Sequence, residues 1–199
     1  LKLPRYGLAN YLAPRPSKPP TPSQTSILDG LSRAGVRLMG FCRTNLFKRL
    51  ESSGAAFLQS VERHILRNLI VVHALDNKLD IPIGTQDAEM LDTRFTDEDD
   101  DQQDLFERED DNGDEGDAED VDTVATSIEA LIAKAKAAYA IYASEKKRRF
   151  KWLPASFFKS ELREALLKDA QILLDVLKLA GEWDPKRDQK LQDLIQLVT

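Results

Sequence analysis

The sequence predicts an all-α chain, a bundle of about five to six helices interrupted by a long acidic insert. Three observations carry this expectation. Apolar residues recur at intervals of three and four through most of the chain, which places them on one helix face. No stretch alternates apolar and polar residues as a half-buried strand would. The charges are also segregated. Nineteen acids and two bases lie between Asp87 and Asp122, a net of −17. The whole chain of 199 residues carries only −6, so its remainder is basic at +11.

Taken in order, residues 1–24 read as an extended proline-rich connector, because five of the nine prolines fall between Pro14 and Pro22 and proline fixes φ and lacks a backbone donor. A first helical half follows at 25–86. It opens with a short helix bearing Ile27, Leu28, Leu31 and Ala34, which Gly35 is expected to end. A second helix from about Val36 to Leu50 carries Leu38, Phe41, Cys42 and Leu46. Ser53 then suits the N-cap of a third, where Leu58, Val61, Ile65, Leu69 and Val72 mark the central core helix. Ile81 to Gly84 form an extended turn.

Residues 87–122 hold too much like charge and too few burial candidates to repay ordering, which predicts a disordered acidic insert. An EF-hand reading with Gly113 at the turn and Glu119 closing the loop puts Arg108 where the first carboxylate ligand belongs, so calcium is rejected. The second half, 123–199, resumes with Val124, Ile128, Leu131, Ala135, Ala138 and Tyr142 on a long helix running toward Pro154. Ser160 is expected to cap a helix through Leu162, Leu166, Leu173 and Leu177 that Gly181 closes. Asp184 and Pro185 announce a last helix over 186–198.

Several function classes fall on composition. One cysteine excludes an internal disulfide and a multi-cysteine zinc site, and two histidines leave little for a histidine-based metal centre. No apolar run is long enough to span a membrane, and no signal-peptide pattern is present, so a cytoplasmic location is expected. A start at Leu1 suggests a piece of a longer chain. There is no phosphate-binding GxxxxGK[ST] loop, and no acid–base pair stands out. His64 reads as a buried or capping histidine and Cys42 as a small core residue; no catalytic residue is assigned.

The basic residues offer more. Arg43, Lys48 and Arg49 precede the core helix, and Arg63 and Arg67 lie one turn apart on it. A second cluster, Lys146, Lys147, Arg148, Arg149 and Lys151, is interleaved with Phe150 and Trp152. Cations beside phosphates release counterions and aromatics can stack on bases, so both clusters are candidate nucleic-acid contacts. The plain alternatives are pairing of Arg63 and Arg67 with Glu51 or Glu62, and a cationic helix C-terminus at Lys146–Arg149.

Four strings resemble one family: RTNLFKRLESSGAAFLQSVERHILRN at 43–68, IPIGTQDAEMLDTRF at 81–95, RRFKWLPASFF at 148–158 and LKLAGEWDPKRDQKLQDLI at 177–195. They are similar to the helical segment between the two RecA-like lobes of bacterial Swi/Snf-like helicases, including those with an N-terminal phospholipase D-like domain. The resemblance implies a non-catalytic linker in an ATP-dependent DNA helicase or translocase, bracing nucleic acid from Lys48 onward and coupling two lobes outside this sequence. ATP and Mg are then expected for the parent protein and no cofactor for this segment. The expected partners are DNA and the two lobes, with no membrane. The family's nucleotide-binding lysine, carboxylate box and arginine finger have no counterpart here. The alternative is a stand-alone helical protein-interaction module whose acidic insert competes with nucleic acid.

Overall fold

A computed structural model describes residues 1–16, 18–83, 127–144, 147–181, 184, 186 and 189–198. The expected disorder of 87–122 lies outside the described residues. Five helices dominate: α1 (Pro22–Ser52), α2 (Gly54–Asp76), α3 (Ile128–Ser144), α4 (Glu161–Ala180) and α5 (Gln189–Val198). The all-α class holds, with one addition. Strands β1 (Asp80–Ile83) and β2 (Lys151–Pro154) pair antiparallel, with Ile81 opposite Leu153.

The first correction concerns α1. The two helices expected on either side of Gly35 are one helix of 31 residues. It starts inside the supposed connector, where Pro22 takes the first helical position and Thr21 forms a capping box. The Thr21 hydroxyl accepts from the Gln24 N–H at 3.3 Å, and the Thr21 N–H donates back to Gln24 Oε1 at 2.9 Å. Gly35 serves packing instead of termination. A Cβ there would lie 3.3 Å from the Tyr6 carbonyl oxygen and 3.8 Å from the Gly7 Cα, so glycine admits the N-terminal backbone against the helix.

One extended residue, Ser53 (φ −154, ψ 129), separates α1 from α2 and serves both. Its N–H donates to the Arg49 carbonyl at 2.9 Å, and its hydroxyl accepts from the Ala56 N–H at 3.4 Å. The two helices fold back on each other. Helix α2 is the core helix as expected: Leu58, Val61, Ile65, Leu69 and Val72 are all buried, and it packs against α4, α3, α1 and β1. Each such side chain contributes about 1.5–3 kcal/mol, which outweighs the modest helix preference of the β-branched residues.

The N-terminus is the second correction. Residues 1–24 are not all connector: Leu3, Pro4 and Leu8 are buried, and Leu8–Tyr11 forms a 3-10 turn. The carboxylate of Asp169, itself buried on α4, accepts from the N–H groups of Lys2 at 3.0 Å and Leu3 at 2.6 Å. Leu3 takes a left-handed φ of 53° that aligns these two successive donors. Further on, Lys159 N–H donates to the Tyr11 carbonyl and Ala13 N–H to that of Phe157, both at 2.8 Å. Residues 2–13 are thus strapped across the start of α4.

The long helix expected to approach Pro154 stops at Ser144, and its continuation is a 3-10 turn (Lys147–Arg149) followed by β2. The reason is tertiary. Leu153 is fully buried beside Ile81, and the Tyr139 hydroxyl donates to the Asp80 carbonyl at 2.8 Å. The first contact joins the two strands, and the second ties β1 to α3. At α4 the expected cap is absent: Ser160 is αR and its hydroxyl donates to Glu161 at 3.2 Å. Gly181 does close that helix, at φ 66. Helix α5 begins at Gln189, with Asp184 accepting from the Lys186 N–H at 2.9 Å just before it.

Candidate functional site

The α1–α2 hairpin creates a cleft. Cys42 and His64 each lie eleven residues from Ser53, so folding back brings them together, with Cys42 Sγ 3.6 Å from His64 Nε2. On α2, Ser60, Arg63, His64 and Arg67 share one face at helical spacing. Across from them α1 presents Asn45 and Arg49, and Leu38, Phe41 and Leu46 supply an apolar wall. The cleft has a volume of about 70 Å³. Tyr6, brought in by the N-terminal strap, completes its lining.

A polar chain runs through this site. Arg5 Nη2 donates to the Tyr6 hydroxyl at 2.7 Å, and its guanidinium also lies over the Tyr6 ring, 4.6 Å from the centroid. The Tyr6 oxygen is 3.5 Å from His64 Nδ1. Burial pushes the Tyr6 phenol up, partly offset by Arg5, so the phenol keeps its proton. The Tyr6 hydroxyl thus accepts from Arg5 and lies against both His64 Nδ1 and the Cys42 thiol, while Cys42 Sγ also meets the other ring nitrogen of His64. Burial pushes His64 down to about 3, and the positive charges of Arg5, Arg67 and Arg49 act in the same direction. His64 is therefore uncharged at neutral pH, inside a cluster of cations.

Glu62, one expected partner of Arg63 and Arg67, pairs with Lys134 at 3.6 Å. Among the described residues no carboxylate ion-pairs with Arg49 or Arg63. Both are half-buried at the cleft, which amplifies their field relative to solvated cations.

The first basic group is thus only partly assembled. Arg49, Arg63 and Arg67 converge, whereas Arg43 and Lys48 are exposed on α1 and do not line the cleft. Arg43 instead donates to the Leu1 carbonyl at 3.2 Å.

No family model, curated protein or solved structure matches the chain. The site must be read from its own chemistry.

The second basic group lies on another part of the molecule. Lys147 and Arg148 are exposed on the 3-10 turn, Lys151 is exposed on β2, and Arg149 belongs to the same turn. Lys146 lies outside the described residues. Trp152 is half-buried; its indole N–H donates to the Lys147 carbonyl at 2.9 Å, and its ring makes T-shaped contacts with Tyr139 and Phe150. Phe150 stacks on Tyr142 at 4.4 Å. These aromatics form a ladder that holds the cationic turn in place.

Sequence reading missed Tyr6, Cys42, Asn45, Ser60 and His64 as members of a site. The spacing of Ser60, Arg63, His64 and Arg67 on one helical face was a usable signal. Tyr6 and Cys42 had none, because they reach the cleft from separate segments. Among the described residues no three His, Cys, Asp or Glu side chains form a metal-binding group, and no helix is long and apolar enough to cross a membrane.

Proposed function

We propose that this chain is the non-catalytic helical linker of a Swi/Snf-like DNA translocase, holding nucleic acid through basic side chains and coupling two ATPase lobes. The carrying observation is the convergence of Arg49, Arg63 and Arg67 on one cleft, with no carboxylate ion pair to Arg49 or Arg63 among the described residues. Half-buried cations gain from a nearby anion, and a phosphate backbone supplies one while releasing condensed counterions. The exposed Lys147, Arg148 and Lys151 extend the same chemistry over a second face.

ATP and Mg belong to the parent's lobes in this reading. The cleft fits neither: its volume of about 70 Å³ is several-fold below nucleotide size, and its lining holds no carboxylate. The chain's contribution is to bind and orient phosphates and to transmit lobe movement through its packed helices.

The test is binding of duplex DNA as a function of salt. Log affinity is expected to fall steeply with log salt, and the paired substitutions Arg49→Gln with Arg63→Gln are expected to reduce the slope by about two, as is the pair Lys147→Gln with Arg148→Gln. A flat salt dependence overturns the reading.

One observation favours a protein partner. Phe47 and Leu50 at the end of α1, and Ile195 and Leu197 on α5, are apolar and exposed. They suit contact with the parent's lobes, or with another protein if the chain acts alone as an interaction module. In the latter case deleting residues 97–122 removes a competitor of nucleic acid and tightens residual DNA binding.

A further inference from the structure

We propose that the α1–α2 cleft is a built site for a single phosphate group, clamped by Arg49 and Arg63 from opposite helices, with Arg67 and the His64 ring completing its wall. It deepens the proposed nucleic-acid role without depending on it, since the phosphate can be a DNA backbone diester or a free phosphate ion.

Size and chemistry both select this ligand class. Pockets for cofactors and nucleotides run to about 300–1,000 Å³, and this one is about 70 Å³, which suits one small oxyanion. Guanidinium groups are planar forks matched to phosphate oxygens, and they remain charged when half-buried. Arg49 arrives from the last turn of α1 and Arg63 from the first half of α2, so closure of the hairpin, not local sequence, brings both residues to the lining of one cleft. The lining offers donors and no carboxylate that would repel an anion. The hydroxyl of Ser60 is already committed, donating to the Ala56 carbonyl at 2.7 Å, so the arginines carry the recognition.

His64 is the internal reporter. Burial is the main cause of its low pKa and the arginines add to it; an anion in the cleft opposes the arginine contribution, so the pKa is expected to rise from about 3 when phosphate binds. Cys42 is a second reporter, because it lines the cleft and is the chain's single cysteine.

The test uses the full chain. His64 ring signals are followed by NMR, and Cys42 alkylation by a neutral maleimide is timed, during titration with inorganic phosphate and, separately, with a short DNA duplex. Sodium chloride at matched ionic strength is the reference. Inorganic phosphate is expected to raise the His64 pKa by at least about one unit and to slow alkylation where chloride does not. Arg49→Gln and Arg63→Gln are expected each to weaken this at least about tenfold, while Lys178→Gln on α4 leaves it unchanged. If Arg63→Gln does not fold by circular dichroism, Arg63→Lys, which keeps charge but loses the fork, is expected to give an intermediate loss. Equal protection by the duplex identifies the backbone diester as the source and supports both readings. Protection by phosphate but not by duplex upholds the site and removes DNA from it. If neither ligand protects beyond chloride the proposal is overturned, even where the duplex binds elsewhere on the chain and the linker reading survives.

Discussion

At His64, burial and the neighbouring guanidinium groups oppose the same proton. A histidine held near 3 in the folded chain and near 6.5 when unfolded takes up its proton only on unfolding. Between those values the unfolded state binds more protons, so stability falls as pH drops from about 6.5 toward 3, at up to ~1.4 kcal/mol per pH unit. Above 6.5 the group adds no slope. Urea unfolding at pH 7, 6, 5 and 4 is expected to show this decline, and His64→Gln is expected to flatten it by a total on the order of a few kcal/mol. Among the described residues, Tyr6 and Cys42 meet the ring nitrogens, and Arg5, Arg67 and Arg49 act on the ring through their charge. None of these is a carboxylate whose own titration in that range would mimic the effect.

Helix α1 shows how one residue type takes different roles along one element. Gly30 and Gly40 have no heavy atom within 4 Å of a built Cβ, whereas Gly35 faces the Tyr6–Gly7 backbone at 3.3 Å. Gly30→Ala is therefore expected to stabilise by up to about 1 kcal/mol through helix propensity. Gly35→Val on the same helix is expected to cost about 1–3 kcal/mol, since the branched side chain has no room. Thermal denaturation of the two variants reads the opposite signs. Sequence alone treats Gly35 as a stop, since glycine at the end of an apolar stripe commonly is one. The segment that makes it an interior contact lies 28 residues upstream, beyond the reach of any local pattern. The same limit applies at Trp152 and Leu153, where helical and extended readings compete and the β1 partner decides.

Across the whole molecule, Asp169 joins the N-terminal strap to α4 and so to the cleft. Its carboxylate is the acceptor for two backbone donors, and Tyr6 lies three residues beyond the second. Asp169→Ala leaves the buried Leu3 N–H without its acceptor, at a cost of about 1–3 kcal/mol, and releases the part-buried Lys2 N–H as well. Residues 2–13 are expected to lose hydrogen-exchange protection ahead of α2 and α4. With Tyr6 no longer held, His64 is expected to become more accessible and its pKa to rise. NMR titration of the His64 ring in Asp169→Ala checks this; an unchanged pKa shows that the strap and the cleft are independent. The candidate site was half legible for the same reason. Arg63 and Arg67 repeat on one helical face, but Arg49, Cys42 and Tyr6 join them only through chain reversals.

What the sequence by itself determined is the helical class, the core face of α2, the Ser53 cap, the stop at Gly181 and the separation of an acidic insert from a basic body. These follow from short-range periodicity, capping chemistry and charge counting, which act within a few residues. Only the tertiary structure decided that α1 is continuous, that residues 2–13 are bound to α4, that two short strands pair, and that three arginines meet around a neutral histidine. Those outcomes depend on groups distant in sequence sharing one buried space, where desolvation and a specific partner outweigh local preference.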